Sequence, residues 1–513
     1  MNKSFISCLA SALFGLWGLP IARAEVLVAP YLQNPARDAM TILWATDTSA
    51  SGSLIVASLD GQLLHQSSSV PQLKLELGYE SADVASLPAG KAPGPPYLHR
   101  IRVTGLQPGA TYQYMVRQEG ETFSRQFRTA PDATASVRFV VYADCETEPE
   151  STGRAADWAE PFGDLERKYI VDQTEGYRQN IKVIGSREPD FIAIAGDIVE
   201  KGGRQRDWDE FWRHNSGAIN DIAGTIPIVP AVGNHENYGG ADGYSIEAAH
   251  RGLDKYQAYF ETPDNGSGNS AFEDRFYRVD YGPITLITVD ATDGWPDKST
   301  SDTNFMLLGE KDGGEAPDFN PGSTQYKWLE QQLADAQETS RFTFVQFHHS
   351  PYSIGPHGFP AGNAGIPNGE DNQSGQPTRV LSPLFEKYGV DAVFCGHDET
   401  YEHSVVNGLH YYDVGIGGDG LRGPYSGRDG STKLASANPF AVFLAHLNAP
   451  EVWEGNKLVS GGKHYGHMEV NVTSNNGSWQ AELTPVCVFP LMNEAGEVIG
   501  WERRIYDDVA VLR

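Results

Sequence analysis

Residues 25–133 predict an all-β sandwich and residues 134–513 an α/β layered domain, with residues 1–24 as a leader. Three observations carry this division. Met40-Thr41-Ile42-Leu43-Trp44 and Arg100-Ile101-Arg102-Val103 alternate in side-chain direction, the period of a half-buried strand. From Ser136 onward, apolar β-branched runs alternate with helical patterns, as expected of a layered α/β domain. Several of those runs end abruptly in Asp, Asn, His or Glu, and in an open α/β sheet ligands bind beyond the carboxyl ends of the strands.

In chain order, Lys3, the apolar run Phe5–Leu19 and Ala22-Arg23-Ala24 have the form of a cleavable export signal. Gly15, Gly18 and Pro20 interrupt a run already short for a membrane span. The mature chain is expected to begin near Glu25 and to be periplasmic or secreted. In the sandwich, Leu106-Gln107-Pro108-Gly109 is a turn signal, followed at period two by Tyr112, Tyr114 and Val116; a tyrosine so placed resembles the tyrosine corner of immunoglobulin-like sandwiches. Leu73–Pro96 is expected to be an elaborated loop and Thr129–Ala133 the linker. The sandwich shows no cluster of catalytic residue types, so it is expected to be a structural or interaction module whose partner is unknown. The strand candidates that follow are Phe139–Tyr142, Phe191–Ala195, Ile226–Val232, Ile284–Val289, Phe342–Phe347, Ala392–Cys395 and Tyr411–Val414; Asp207–Trp212 and Tyr326–Ala336 have helical spacing. Thr147–Gln179 and Gly355–Gln376 are expected to be long segments at the rim of a site. Met468–Val472 is expected to be a closing strand, with a hairpin near Asn493–Gly496.

The sequence of 513 residues is 40% hydrophobic, enough for a large core and more than one domain. A net charge of -28 repels nucleic-acid phosphates and anionic membranes. Nucleic acid is therefore disfavoured as a partner. A small phosphorylated substrate is compatible, because bound cations reverse the local field. No stretch after the leader is apolar enough to span a membrane. Removal of the leader leaves Cys145, Cys395 and Cys487, too few for a disulfide framework and best explained as small buried residues.

Five strand ends carry the chemistry. Phe139–Tyr142 runs into Asp144 and Glu146, and Phe191–Ala195 into Gly196-Asp197. Ile228–Val232 runs into Gly233-Asn234-His235-Glu236, Val345–Phe347 into His348-His349, and Val393–Cys395 into Gly396-His397-Asp398-Glu399. One such end is common by chance, and a lone histidine is usually a satisfied structural residue. Five in one domain form a joint signal for a two-metal site. Gly196, Gly233 and Gly396 stand just before the ligand, where the lack of a Cβ lets backbone approach an ion or a phosphate. Carboxylate and amide oxygens with imidazoles suit hard-to-borderline divalent ions. One aspartate can bridge two ions about 3.5–4 Å apart, a clamp that activates water.

The order Asp144, Gly196-Asp197, Gly233-Asn234-His235-Glu236, His348 and Gly396-His397 resembles the calcineurin-like metallophosphoesterases. The preceding sandwich, Pro30-Tyr31-Leu32-Gln33, the run Val345–Ser353 and Tyr401-Glu402 are similar to the purple acid phosphatase branch. The resemblance extends to about Gly418. It implies a sandwich of two mixed β-sheets flanked by helices, behind an immunoglobulin or fibronectin III-like domain. It also implies two divalent or mixed-valence ions bridged by Asp197. Asn234, His348 and His397 would complete one metal site, and Asp144 would serve the other. Asn234, His235 and His357 would face the substrate phosphate, with His235 as hydrogen-bond donor or general acid. His349 would either support a neighbouring ligand or be structural.

The departures all fall on the first metal site. The family has Asp-x-His or, in this branch, Asp-x-Gly, where this chain has Asp144-Cys145-Glu146. The branch places a tyrosine three residues after the bridging aspartate; here that residue is Glu200. The usual Gly-His-x-His is Gly396-His397-Asp398-Glu399. Asp144, Asp197, Glu399 and Glu146 would then make an oxygen-rich, anionic site that favours Mn, Fe, Mg or Ca over Zn. No phenolate is present to colour it. Glu146 has a bland alternative as a solvated turn acid, and Glu200 is explained more simply by pairing with Lys201. The expected function is phosphoester hydrolysis by a hydroxide bridging the metals, on phosphomonoesters first and phosphodiesters second. The rivals are a degenerate protein that binds metal or phosphate without turnover, and a scaffold built on the sandwich.

Overall fold

The computed structural model describes residues 25–87, 92–151, 173–292, 316–355, 357, 375–418, 438–445, 452–455, 457–460, 465–493, 495 and 497–513. The leader 1–24 and most of the Thr147–Gln179 and Gly355–Gln376 segments lie outside them.

The N-terminal unit consists of two four-stranded antiparallel sheets. One orders Val26–Gln33, Ala39–Thr46, Tyr97–Thr104 and Gln72–Leu73; the other orders Leu63–Ser68, Ser53–Ser58, Thr111–Gln118 and Glu121–Arg128. Alternation puts Trp44, Leu54, Val56, Val103, Tyr114 and Val116 between the sheets, where they are buried. The tyrosine corner is present: the Gln107 N–H donates to the Tyr112 hydroxyl at 2.8 Å. Leu73–Pro96 is more structured than the loop signals predict. It holds the short helices Leu75–Leu77 and Ser81–Ser86, and Lys255 Nζ donates to the carbonyls of Glu76 and Gly78. These bonds tie the segment to the second unit and offset its turn-forming composition.

The second unit is two mixed sheets packed face to face. In the first, Ile228–Pro230, Phe191–Ile194 and Val137–Tyr142 lie parallel, and Tyr465–Asn475 and Ser478–Met492 continue antiparallel. In the second, Ile284–Thr288, Phe342–His349, Ala392–Gly396 and Leu409–Val414 run parallel, flanked by the antiparallel Tyr277–Tyr281 and Tyr401–Val406. Phe139 stacks on Phe191 at 4.8 Å within one sheet and meets Phe344 edge-on at 5.4 Å in the other. Those rings form the middle of the inter-sheet core. Helices Gln173–Ser186, Gln205–Asn215 and Ile246–Tyr259 cover one outer face, and Thr324–Thr339 and Ser382–Lys387 the other. The strand predicted over Ile226–Val232 shortens to Ile228–Pro230, because prolines at 227 and 230 have no N–H for a ladder. The closing strand and the hairpin are both present. Tyr465–Asn475 pairs beside Val137–Tyr142, and Ser478–Met492 returns through the turn at Asn493 to Val498–Ile505.

The two units are joined by specific contacts. The Tyr31 hydroxyl donates to Tyr259 O at 2.8 Å, and the Tyr114 hydroxyl to Gly224 O at 2.6 Å. The Tyr31 ring lies 4.1 Å from that of Trp212, and Arg128 pairs with Asp190 at 2.8 Å. Cys145, Cys395 and Cys487 are free and buried. Among the described residues no helix is long and apolar enough to cross a membrane.

Candidate metal centre

Parallel pairing brings the carboxyl ends of Val137–Tyr142, Phe191–Ile194 and Ile228–Pro230 level with one another, and packing sets them against the ends of Phe342–His349 and Ala392–Gly396. The chain must turn sharply there. Asp144 (φ 55°), Glu146 (φ 35°), Asp197 (φ 51°), His397 (φ 80°) and Glu399 (φ 49°) all adopt left-handed backbone. That conformation is costly for residues with a Cβ and clusters at functional sites. The preceding glycines answer a different demand. A Cβ on Gly233 or Gly396 would overlap the carboxylate of Asp197 or of Asp144, so close approach, in addition to turning, requires glycine there.

One group of ligand-type atoms is compact. Those of Asp197, His348 and His397 lie within 4.8 Å of one another, and all three residues are buried. His348 Nδ1 is 3.0 Å from the carbonyl of Ala195. A carbonyl only accepts, so Nδ1 carries the proton and donates it. His348 Nε2 is 2.8 Å from Asp197 Oδ2 and 2.9 Å from Asn234 Oδ1. Asn234 is oriented by donating from Nδ2 to the Tyr244 hydroxyl at 2.8 Å. In the neutral tautomer three lone pairs converge, and a cation satisfies all of them. The donor set therefore fits a divalent ion. Burial favours the neutral acid of Asp197, but the imidazoles of His348 and His235 outweigh it and hold the carboxyl below its ordinary range. His349 has its pKa pushed well below the ordinary value by burial and by His348. Its ring packs 4.5 Å from that of His397.

A second group shares Asp197. Ligand-type atoms of Glu146, Asp197 and His235 also lie within 4.8 Å of one another. His235 Nδ1 is 2.7 Å from the carbonyl of Glu200, and its Nε2 is 3.7 Å from Glu146 Oε1. Asp144 and Glu399 stand beside these groups, outside both. Both Asp144 oxygens accept the His397 N–H at 3.0 Å. Burial first, then the charges of Asp197, Asp413 and Glu399, raise the Asp144 carboxyl well above its ordinary range. Glu200 pairs with Lys201 at 3.2 Å, the pairing expected, while its carboxylate is 3.7 Å from His235 Nδ1. The His357 ring lies 4.1 Å from that of His397.

Sequence reasoning assigned no role to three residues that shape this place. Glu236 is fully buried and accepts the N–H groups of Gly233, Asp197 and Ile198 at 2.7, 3.1 and 2.9 Å. It thereby locks two ligand-bearing turns together, and burial and the charge of Asp197 push its pKa up to about 7. Asp413 accepts the Gly415 N–H at 3.0 Å, and burial, then Asp398, raises its carboxyl well above the ordinary range. A lone acid in the apolar strand Leu409–Val414 was the available signal. Asp398, between two predicted ligands, holds the His357 backbone at 2.7 Å.

Residues 28–130 match the purple acid phosphatase N-terminal domain, and residues 138–401 match the calcineurin-like phosphoesterase model. An uncharacterized protein of Mycobacterium tuberculosis is 27% identical over 319 residues, 60% of this chain and 50% of that protein. The chain thus spans about half the length of that relative. The purple acid phosphatase PPD1 of yellow lupin, Lupinus luteus, superimposes with a TM-score of 0.56 at 19% identity, covering 92% of this chain and 73% of that one. PhoD superimposes with a TM-score of 0.59 at 13% identity, covering 95% and 90%. Both structural likenesses concern the fold. With the strand order, the ligand-bearing turns and the family match over residues 138–401 in agreement, the chain belongs to the calcineurin-like phosphoesterases, with the N-terminal domain of the purple acid phosphatase branch.

Proposed function

We propose that this chain is an exported phosphohydrolase acting on small phosphomonoesters at a binuclear metal centre. In this reading residues 1–24 are a cleaved leader, 25–133 the sandwich and 134–513 the catalytic domain. The observation that carries the proposal is the approach of Asp197 Oδ2 and Asn234 Oδ1 to within 2.9 Å of His348 Nε2. With Nε2 unprotonated, the three lone pairs suit a cation.

Two divalent ions, when bound, would supply Lewis acidity and an activated water. Asp197 belongs to both compact groups and would be shared between them. Asn234, His348 and His397 would hold one ion; Asp144, Glu399 and Glu146 would hold the other, with Mn, Fe, Mg or Ca preferred to Zn. His235, its Nδ1 fixed by the Glu200 carbonyl, would direct Nε2 at the phosphoryl or leaving oxygen and donate a proton there. His357 and the Asn234 amide would contact the same phosphate.

The test uses protein stripped with chelator and reloaded separately with Mn²⁺, Fe²⁺, Ca²⁺ and Zn²⁺. Turnover is then measured on 4-nitrophenyl phosphate and on its bis-ester. The expected result is metal-dependent hydrolysis, faster on the monoester. Faster hydrolysis of the bis-ester would make the chain a phosphodiesterase. Stoichiometric metal with turnover of neither ester would leave a binding protein and overturn the proposal.

A further inference from the structure

We infer that Asp398 is a positioning residue for phosphate: it holds His357 against the metal centre by gripping the backbone that carries it. This rests on the placement of His357 at the phosphate proposed above. Asp398 lies between His397 and Glu399 at the end of strand Ala392–Gly396 and is fully buried. Its Oδ1 accepts the backbone N–H of His357 at 2.7 Å. Two residues earlier on the same segment, Gly355 packs against the Asp398 carboxylate so closely that a Cβ there would overlap it. Next to it, the N–H of Ile354 donates to Glu402 Oε2 at 2.9 Å, and Glu402 is also buried. Two buried carboxylates thus hold Ile354 and His357 by their N–H groups. The result is an imidazole 4.1 Å from the ring of His397, with 33° between the planes.

The energetics favour a purpose beyond packing. A buried carboxylate is costly, and hydrogen bonds from backbone N–H groups only partly offset that cost. An asparagine would accept the same N–H without the charge. What a carboxylate adds is a stronger, shorter bond and hence a tighter restraint. A restraint of this kind serves a residue that must meet a ligand to within about half an ångström. Asp398 also sits between two metal-ligand candidates in sequence. The imidazole on the metal and the imidazole on the phosphate are thereby coupled through one turn.

The experiment measures binding of inorganic phosphate to Mn²⁺-loaded full-length protein by calorimetry, with metal content and Tm recorded for each variant. Asp398→Ala is expected to weaken phosphate about tenfold with both metals retained, the scale of one lost charged hydrogen bond. Asp398→Asn, which keeps an acceptor but not the charge, is expected to recover part of the affinity. In a His357→Ala background, Asp398→Ala is expected to cost nothing more, since the two act as a unit. Unchanged phosphate affinity in Asp398→Ala, or a loss that adds fully to that of His357→Ala, would overturn the inference. So would an asparagine no better than alanine. If Asp398→Ala does not load metal, Asp398→Ser, whose side chain is too short to reach the His357 N–H, replaces it in the two backgrounds and decides by the same criterion. Should the wild-type protein bind phosphate but hydrolyse no ester, the proposed activity fails and this inference still stands or falls on the cycle.

Discussion

The two sides of the candidate centre are built from different chemistry. Around His348 the geometry closes: Asp197, Asn234, His348 and His397 are the residue types of the wider family, and their donor atoms converge. Around Asp144 the chain has replaced imidazole and phenolate with carboxylates. There the acids crowd: after burial, the charges of Asp197, Asp413 and Glu399 raise the proton affinity of Asp144, and Asp144 and Glu399 fall outside the compact groups. Buried anions repel until a cation or a proton joins them, whereas mixed nitrogen and oxygen ligands hold their geometry through hydrogen bonds alone. The Asp144 side therefore depends on its ion more than the His348 side.

Replacing the shared residue tests both sides at once. Asp197→Ala should abolish stable binding of either ion and lower turnover by about 10³-fold or more, because several kcal/mol of charge stabilisation are removed; metal analysis and 4-nitrophenyl phosphate kinetics measure both. Retention of two ions would break the shared-ligand account. His348→Ala should act on one side only, taking metal content from two ions to one and costing about 10²-fold in affinity at that side.

A third change sharpens the contrast in ligand chemistry. Glu399→His returns an imidazole to the carboxylate-rich side and should shift competition between Zn²⁺ and Mn²⁺ toward Zn²⁺ by about tenfold. An unchanged preference would show that Glu399 does not bind metal. The smallest expected effect is on the stability of the metal-free protein. Because the Asp144 carboxyl is raised, its folded form holds a proton that the unfolded form releases above about pH 4. Stability is thus lost as pH rises from there toward the raised value. Asp144→Asn should therefore raise the Tm in chelator at pH 7, with the gain vanishing near pH 4. Asp197 has the opposite sign: its carboxyl is held low, so it contributes stability above about pH 4 that is lost only in stronger acid. Asp197→Asn should lower the Tm at pH 7. Equal shifts in both variants would erase the distinction between the sides.

Much of the architecture was legible in the chain. The parallel strands ending in Asp144, Asp197 and His348 announced themselves as apolar runs stopped by ligand types, and the tyrosine corner at Tyr112 followed from its turn. Helices Gln173–Ser186 and Ile246–Tyr259 were not legible, because polar residues and glycines dilute their apolar stripe. The strand Tyr401–Val406 was missed for a related reason. It buries Glu402, His403 and Ser404, and polar residues in a strand are satisfied by partners far away in sequence.

What the sequence by itself determined is the set of candidate ligands and their order, since residue type and strand periodicity are local properties. It also carries the acids Glu146, Glu200 and Glu399 at positions where the resemblance leads one to expect other residue types. Only the tertiary structure decided how those residues divide. Packing one sheet on the other places His348 within 2.9 Å of two residues distant in sequence. The same packing puts Asp413 beside Asp144 and turns Asp398 into an anchor for His357. Such placements depend on which strand ends meet across the inter-sheet core, and no local pattern encodes that.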